Sequence, residues 1–192
     1  MELEGIVIRT TPSREADLVV QLMTKDAGKV ALLAKYARKS KRRFSGSFDL
    51  FDHGIFAVTQ GKGSLALVQS FTQRNCFKAL RENLGKMTAA TVVCECFDHL
   101  IKESVTEGST ALFQTLQLGL QAIEESEDLK LCFRATFLAI GNLLNLCGYL
   151  DQDSIGKPSA KNLLKLLDHL ERCSERELKS KSALVPQIQS LR

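Results

Sequence analysis

The sequence predicts an α+β chain in which a small five-stranded barrel comes first and an all-helical domain follows. Two observations divide it. Up to about Gln73, apolar residues come in short runs rich in β-branched and aromatic side chains, each closed by a turn signal. Beyond Arg74 they recur at spacings of three and four, and no proline interrupts them until Pro158.

The strand runs, in order, are Gly5 to Arg9, Ala16 to Leu22, Lys29 to Ala34, Phe48 to Thr59 and Ser64 to Val68. Thr11-Pro12-Ser13, Asp26-Ala27-Gly28 and Gly61-Lys62-Gly63 punctuate them as turns. Five short strands in about 75 residues favour a closed or partly closed barrel, since closure removes exposed edges, and the oligonucleotide-binding (OB) barrel fits the count. Helices are expected over 75–85, 87–104, 110–124, 129–147 and 159–172. Ser109 or Thr110 suits an N-cap, Gly148 a left-handed terminator, and Pro158 a first helical turn. The helix over 129–147 is apolar on nearly every side and should be the buried centre of a bundle. Leu163, Leu164, Leu166, Leu167 and Leu170 give the next helix a core-facing stripe. The expected domains are therefore 1–74 and 75–192.

A composition of 44% hydrophobic and 25% charged residues over 192 positions is that of a globular protein. The opening MELEGIVIRT carries acids before a short apolar run, unlike a signal peptide. The uncharged stretch Ala135 to Leu150 falls short of the roughly 20 apolar residues of a membrane span. A cytoplasmic protein with no membrane partner is expected.

Charge is divided unevenly. Residues 1–80 hold 13 Lys and Arg against 7 Asp and Glu, a net of +6, whereas residues 81–192 hold 13 against 15, a net of −2. Affinity for a polyanion should lie in the first half. There Lys35 to Arg43 reads KYARKSKRR, six cations in nine positions, with no acid between Asp26 and Asp49. A solvated face usually mixes signs; a one-sign block beside a barrel strand is a footprint for a phosphate backbone. Lys29, Lys35, Arg38, Lys39, Lys41, Arg42 and Arg43 are the candidate phosphate contacts. If five or six of them engage, log K against log[salt] should slope at about −3.5 to −4 on single strands. Tyr36 and Phe44 bracket the block and are either base-stacking residues or barrel core.

Other fragments fail as catalytic or metal motifs. Gln60 to Ser64 lacks the spacing of a phosphate loop and joins two strands. Asp151-Gln152-Asp153 with Gly156 starts like a calcium loop but has Ile155 at position 5 and, at position 12, Asn162 where a bidentate Glu is required. Three histidines, His53, His99 and His169, fall in different elements and offer no nucleophile a base. The six cysteines form no C-x-x-C pair. Cys96 with His99 and His169 with Cys173 have helical spacings from which a zinc site could be built, but buried free thiols are the preferred reading. No metal, cofactor or catalytic residue is expected, and the chain is not read as an enzyme.

In order and spacing, Gly5-Ile6-Val7-Ile8-Arg9, Glu15-Ala16-Asp17, Thr24 to Val30 and Ala34 to Lys39 resemble the RecO family of recombination and DNA-repair mediators. Gly61 to Leu65, Phe77 to Leu80 and Gly148-Tyr149 extend the resemblance to about residue 150. Tyr36 stands where that family usually has glycine, and Leu50 where it tends to have proline. The four-cysteine zinc module that often follows Gly-Tyr is missing, so the chain is similar to a shortened RecO. The resemblance implies an OB-fold followed by a helical domain in a bacterial, nucleoid-associated protein. It implies binding of single- and double-stranded DNA, strand annealing, and loading of RecA with RecR onto strands covered by single-strand-binding protein. It also implies an apolar pocket with a cationic rim for the acidic, Phe-ended tail of single-strand-binding protein. Lys130 and Arg134, beside the most apolar helix, are the candidates, although both could instead snorkel over the core. An RNA-binding OB module and an adaptor acting through the helical half are the alternatives.

Overall fold

The computed structural model describes residues 1–39, 48–61, 63–103 and 105–190. It divides into two compact units, Met1–Cys76 with Lys102–Phe113, and Phe77–Ile101 with Gln114–Arg192. The division thus falls two residues beyond the expected 74/75 boundary, and the first unit also takes in a segment from the middle of the chain.

The first unit is a closed five-stranded barrel. Its strands are β1 (Glu2–Ser13), β2 (Asp17–Thr24), β3 (Gly28–Ala34), β4 (His53–Thr59) and β5 (Ala66–Asn75), in the order β1-β2-β3-β5-β4. One long strand makes closure possible. β1 pairs antiparallel with β2 from Gly5↔Thr24 to Ser13↔Asp17, and its first half also pairs with β4, from Glu2↔Ala57 to Ile6↔His53. An irregularity between Val7 and Arg9 lets it bend from one neighbour to the other. Parallel pairing of Leu32 with Ala66 and Leu33 with Leu67 completes the circuit.

Pro12 does not end β1 as expected. It pairs with Leu18, and the turn lies at Arg14–Ala16. β5 likewise runs on to Asn75, where a helix was expected from residue 75. Of the hairpin loop Gly61 to Ser64, Lys62 lies outside the described residues.

Inward-facing Val7, Val20, Leu22, Leu32, Phe56, Val58, Val68 and Phe71 fill the barrel, joined by Phe48 from the preceding loop. The Phe56 ring sits 4.5 Å from that of Phe71 and 6.0 Å from that of Phe48. Gly28 takes φ +66 at the start of β3, and a Cβ there would lie 1.9 Å from the Val105 carbonyl oxygen. The segment Lys102–Phe113 packs on this side: Gln21 Nε2 donates to Glu103 Oε1 at 3.1 Å, and the Ser109 and Thr110 hydroxyls donate to the Lys25 carbonyl. Those hydroxyls are therefore engaged away from the N-cap role expected of them.

The second unit contains α1 (Lys78–Glu82), α2 (Leu84–Leu100), most of α3 (Ser109–Glu125), α4 (Leu129–Leu146), α5 (Ala160–Ser174) and α6 (Lys181–Gln189). Caps set several boundaries. Asn83 accepts from the Lys86 N–H and separates α1 from α2, Asp128 accepts from Leu131 N–H, and Ser159 accepts from Asn162 N–H. Ser159 is the cap of α5, so Pro158 precedes the helix instead of occupying its first turn. Gly148, at φ +74, ends α4, with Tyr149 N–H donating back to the Leu144 carbonyl.

Helix α4 is the buried centre, with Phe137, Ile140, Leu143 and Leu144 fully enclosed as it packs against α2 and α5. At 18 residues it has the length and composition to cross a membrane, which the shorter uncharged stretch lacked. Its place in the helical core accounts for that apolarity. Among the described residues no other helix passes that test.

Helix α6 lies beyond the last expected helix, and Pro186 stands inside it and removes a backbone donor. Tertiary contacts hold it instead. Leu184 and Ile188 are buried, and the Glu95 carboxylate of α2 accepts from the N–H groups of Lys179 and Ser180 at 3.0 and 2.9 Å and from the Ser180 hydroxyl. Burial pushes the Glu95 carboxyl up, but these hydrogen bonds outweigh it and hold it below the usual range.

Candidate nucleic-acid interface

The first half of the basic block, Lys35 to Lys39, forms a turn directly after β3. Its conformation follows from what its backbone donates to. Tyr36 N–H donates to Asp17 Oδ1 at 2.9 Å and Arg38 N–H to the Ala16 carbonyl at 3.0 Å, so the turn lies against the β1–β2 turn. Lys39 Nζ adds an exposed ion pair with Glu15 Oε2 at 3.4 Å, which contributes little by itself.

Lys35, Tyr36, Arg38 and Lys39 are all exposed, while Ala37 between them is buried as the turn's anchor. Tyr36 is 58% exposed and so does not belong to the barrel core. Lys29 differs from its neighbours in the candidate set. It is only 6% exposed, at the start of β3 where it bridges to Glu103, and lacks the exposure a phosphate contact needs. Lys41, Arg42, Arg43 and Phe44 lie outside the described residues.

Two hollows adjoin this turn. One, of about 330 Å³, is lined by Arg14, Glu15, Ala16, Asp17, Lys35, Tyr36 and Lys39. The second, of about 420 Å³, runs over the β3–β5 seam: Val19, Leu33, Leu65 and Leu67 give it an apolar floor, with Arg14, Lys35 and Ser64 at its edge. An apolar floor beside cations suits a base laid flat with its phosphate at the rim. Arg14, Asp17 and Lys35 line both hollows. Sequence reasoning missed Arg14, because a single arginine in a turn carries no run of like charge; only the β1–β2 hairpin brings it to the block.

Arg14 and Tyr36 also share an uncommon backbone, at φ 53 and φ 59. For a residue with a Cβ this left-handed region costs about 1–2 kcal/mol, and such strain tends to gather at functional surfaces. It gives a physical reason for glycine at the position Tyr36 occupies.

The helical unit holds a separate hollow of about 410 Å³. Lys130, Leu131, Phe133 and Arg134 of α4 form one wall, and Pro158, Ser159 and Ala160 the other. Lys130 and Arg134, one turn apart, are exposed, so both present charge beside an apolar lining.

The zinc arrangement does not assemble. His169 Nε2 lies 3.6 Å from Cys173 Sγ and 3.2 Å from the Tyr149 carbonyl oxygen, and among the described residues no group of three His, Cys, Asp or Glu is placed to hold a metal. Burial pushes the thiols of Cys94 and Cys96 far up and that of Cys132 to about 11, which disfavours the thiolate a metal requires.

Comparison with known proteins adds to this geometry. Residues 1–77 match the family model described as the recombination protein O N-terminal domain. The chain is 33% identical over 125 residues to the DNA repair protein RecO of Listeria welshimeri, covering 65% of this chain and 48% of that protein. With the DNA repair protein RecO of Symbiobacterium thermophilum it shares 33% identity over 147 residues, 77% of this chain and 56% of that one. With that of Desulfosudis oleivorans it shares 28% over 145 residues, 72% and 55%. The chain thus spans about half the length of the curated relatives it matches.

Proposed function

Because this chain belongs to the RecO family, we propose that it acts in recombinational DNA repair by binding DNA strands on its barrel and annealing them, without catalytic turnover. The observation that carries the reading is the exposed turn of Lys35, Arg38 and Lys39 beside a groove with an apolar floor. Cations offset the repulsion between two phosphate backbones, and the floor accepts bases that are not yet paired. Annealing then needs proximity and charge compensation, not a reacting side chain.

The proposed DNA contacts are Lys35, Tyr36, Arg38, Lys39 and Arg14, together with Lys41, Arg42 and Arg43 of the same block. Lys29 is left out on account of its burial. In the helical unit, the hollow between α4 and the start of α5 fits the acidic, Phe-ended tail of single-strand-binding protein: a ring would enter among Leu131, Phe133 and Pro158, and carboxylates would meet Lys130 and Arg134. Cooperation with RecR in loading RecA belongs to the same proposal, as do an association with the bacterial nucleoid and a cytoplasmic location.

The experiment is a competition among single-stranded DNA, duplex DNA and structured RNA at two salt concentrations, followed by a strand-annealing assay with and without single-strand-binding protein. DNA strands should be preferred and annealed, and capture of the tail peptide should fail with Arg134→Glu. Preferential binding of RNA without annealing would overturn the reading.

Tyr36 separates stability from binding. Tyr36→Gly should raise the stability of the barrel by about 1 kcal/mol, through relief of the left-handed backbone. It should also weaken oligothymidine binding by about 1–3 kcal/mol through loss of a stacked base. Thermal melting and fluorescence anisotropy read the two effects independently; a glycine variant that binds as tightly as the parent removes Tyr36 from the interface.

A further inference from the structure

We infer that Asp17 is the positioning residue of the DNA interface, the side chain that latches the basic turn to the barrel so that its cations face one strand together. The inference rests on the DNA-binding reading above and concerns how its affinity is produced. Asp17 opens β2 and pairs with Ser13 across the hairpin, so the barrel ladder fixes its backbone. It is 9% exposed, yet its Oδ1 reaches across to the Tyr36 N–H, 19 residues along the chain, at 2.9 Å. The Ala16 carbonyl takes the Arg38 N–H beside it.

These two bonds fix alternate residues of the turn on a hairpin that is itself rigid. With Tyr36 and Arg38 held by their backbones, Lys35, the Tyr36 ring, Arg38 and Lys39 remain exposed and oriented. The left-handed backbones of Arg14 and Tyr36 border the same hollow as Asp17, and a turn in that conformation needs a fixed partner to keep it there. The carboxylate lines both hollows and acts here as a hydrogen-bond acceptor for the backbone of the turn. A polyanion site holding a buried acid at its centre is otherwise badly made, since bare negative charge there would repel phosphate.

The acceptor role separates the variants. Asp17→Asn keeps an oxygen at the Oδ1 position and should bind oligothymidine within about twofold of the parent. Asp17→Ala removes the acceptor, and Asp17→Glu keeps the charge but moves it by one methylene. Both should weaken binding about tenfold and lower the steepness of log K against log[salt] by about 1.4 to 2, the loss of two or three phosphate contacts at about 0.7 each. Amide hydrogen exchange of Tyr36 should accelerate in both, while β1 and β2 remain protected. Should alanine prevent folding, the glutamate and asparagine variants carry the comparison.

Parental affinity and salt slope in a folded Asp17→Glu variant would overturn the inference, and so would tighter binding by Asp17→Asn, since the carboxylate would then act only as a repelling charge. Joint reversal of Lys35, Arg38 and Lys39 serves as the control. If that variant weakens binding and the Asp17 variants do not, the latch fails and the DNA-binding reading stands; if it too binds as the parent does, the reading itself fails.

Discussion

Reversing Lys35, Arg38 and Lys39 together to glutamate is expected to lower oligothymidine affinity by at least about two orders of magnitude at low salt. The salt dependence should flatten by about 2 in log–log slope, because each lost phosphate contact removes about 0.7 on single strands. The three side chains are exposed and, among the described residues, their charges stabilise no buried partner, so the barrel should melt within about 0.5 kcal/mol of the parent. Among the described residues Lys39 has an ion pair with Glu15, whose own side chain is 92% exposed. The loss should be uniform across DNA sequences, since phosphate contacts carry no base information. Fluorescence anisotropy titrations at three salt concentrations check it. Unaltered affinity, or a loss confined to one sequence, would refute the assignment of the turn as a phosphate contact. The same prediction applied to Arg42→Glu with Arg43→Glu tests the remainder of the block.

Truncating Phe56 to alanine should have the largest effect on the fold. Its ring is fully buried, stacked at 25° on Phe48 and 4.5 Å from Phe71, with Val7, Leu22 and Val58 in the same cluster. Loss of a buried phenylalanine costs about 3–5 kcal/mol through removed transfer energy and the cavity left behind, against a total stability of about 5–15 kcal/mol for a natural domain. For a barrel of this size the melting temperature should fall by on the order of 15 °C. Phe56→Leu, which refills most of the volume, should recover more than half of the loss. Calorimetry of both variants decides the point: an alanine variant that melts with the parent would mean that these rings do not form the barrel core. DNA binding measured below the transition should survive in the leucine variant, because Phe56 touches neither hollow.

Much of the architecture was legible because it depends on local chemistry. The strands around Ile6, Val19, Leu32 and Val58 were readable from short β-branched runs between turns, and α4 and α5 from apolar spacing, since both patterns are periodic consequences of a single element facing a core. Gly148 and Asp26-Ala27-Gly28 likewise announce backbone turns through their residue types alone. Where local signals conflicted with distant packing, packing prevailed. Pro12 reads as a turn, but β1 is long because it must serve both β2 and β4. Pro186 reads as a helix breaker, but Glu95 and the burial of Leu184 and Ile188 hold α6 in place.

The interface divides in the same manner. A dense run of like charge is visible in one dimension, so Lys35, Arg38 and Lys39 could be named as candidates, and the fold leaves them exposed; Lys29, chemically identical, is buried beside Glu103. Arg14 and Asp17 were invisible as parts of the surface, because neither lies in the run of like charge and only the β1–β2 hairpin brings them to it.

By itself, then, the chain determined a strand-built half followed by a helical one and the location of its positive charge, since secondary structure and charge density are properties of neighbouring residues. Only the tertiary structure decided how five strands close in the order β1-β2-β3-β5-β4, which lysine is withdrawn, and which aspartate meets the basic turn. Those outcomes depend on register between residues far apart in the chain, where a shift of one position turns every side chain to the opposite face.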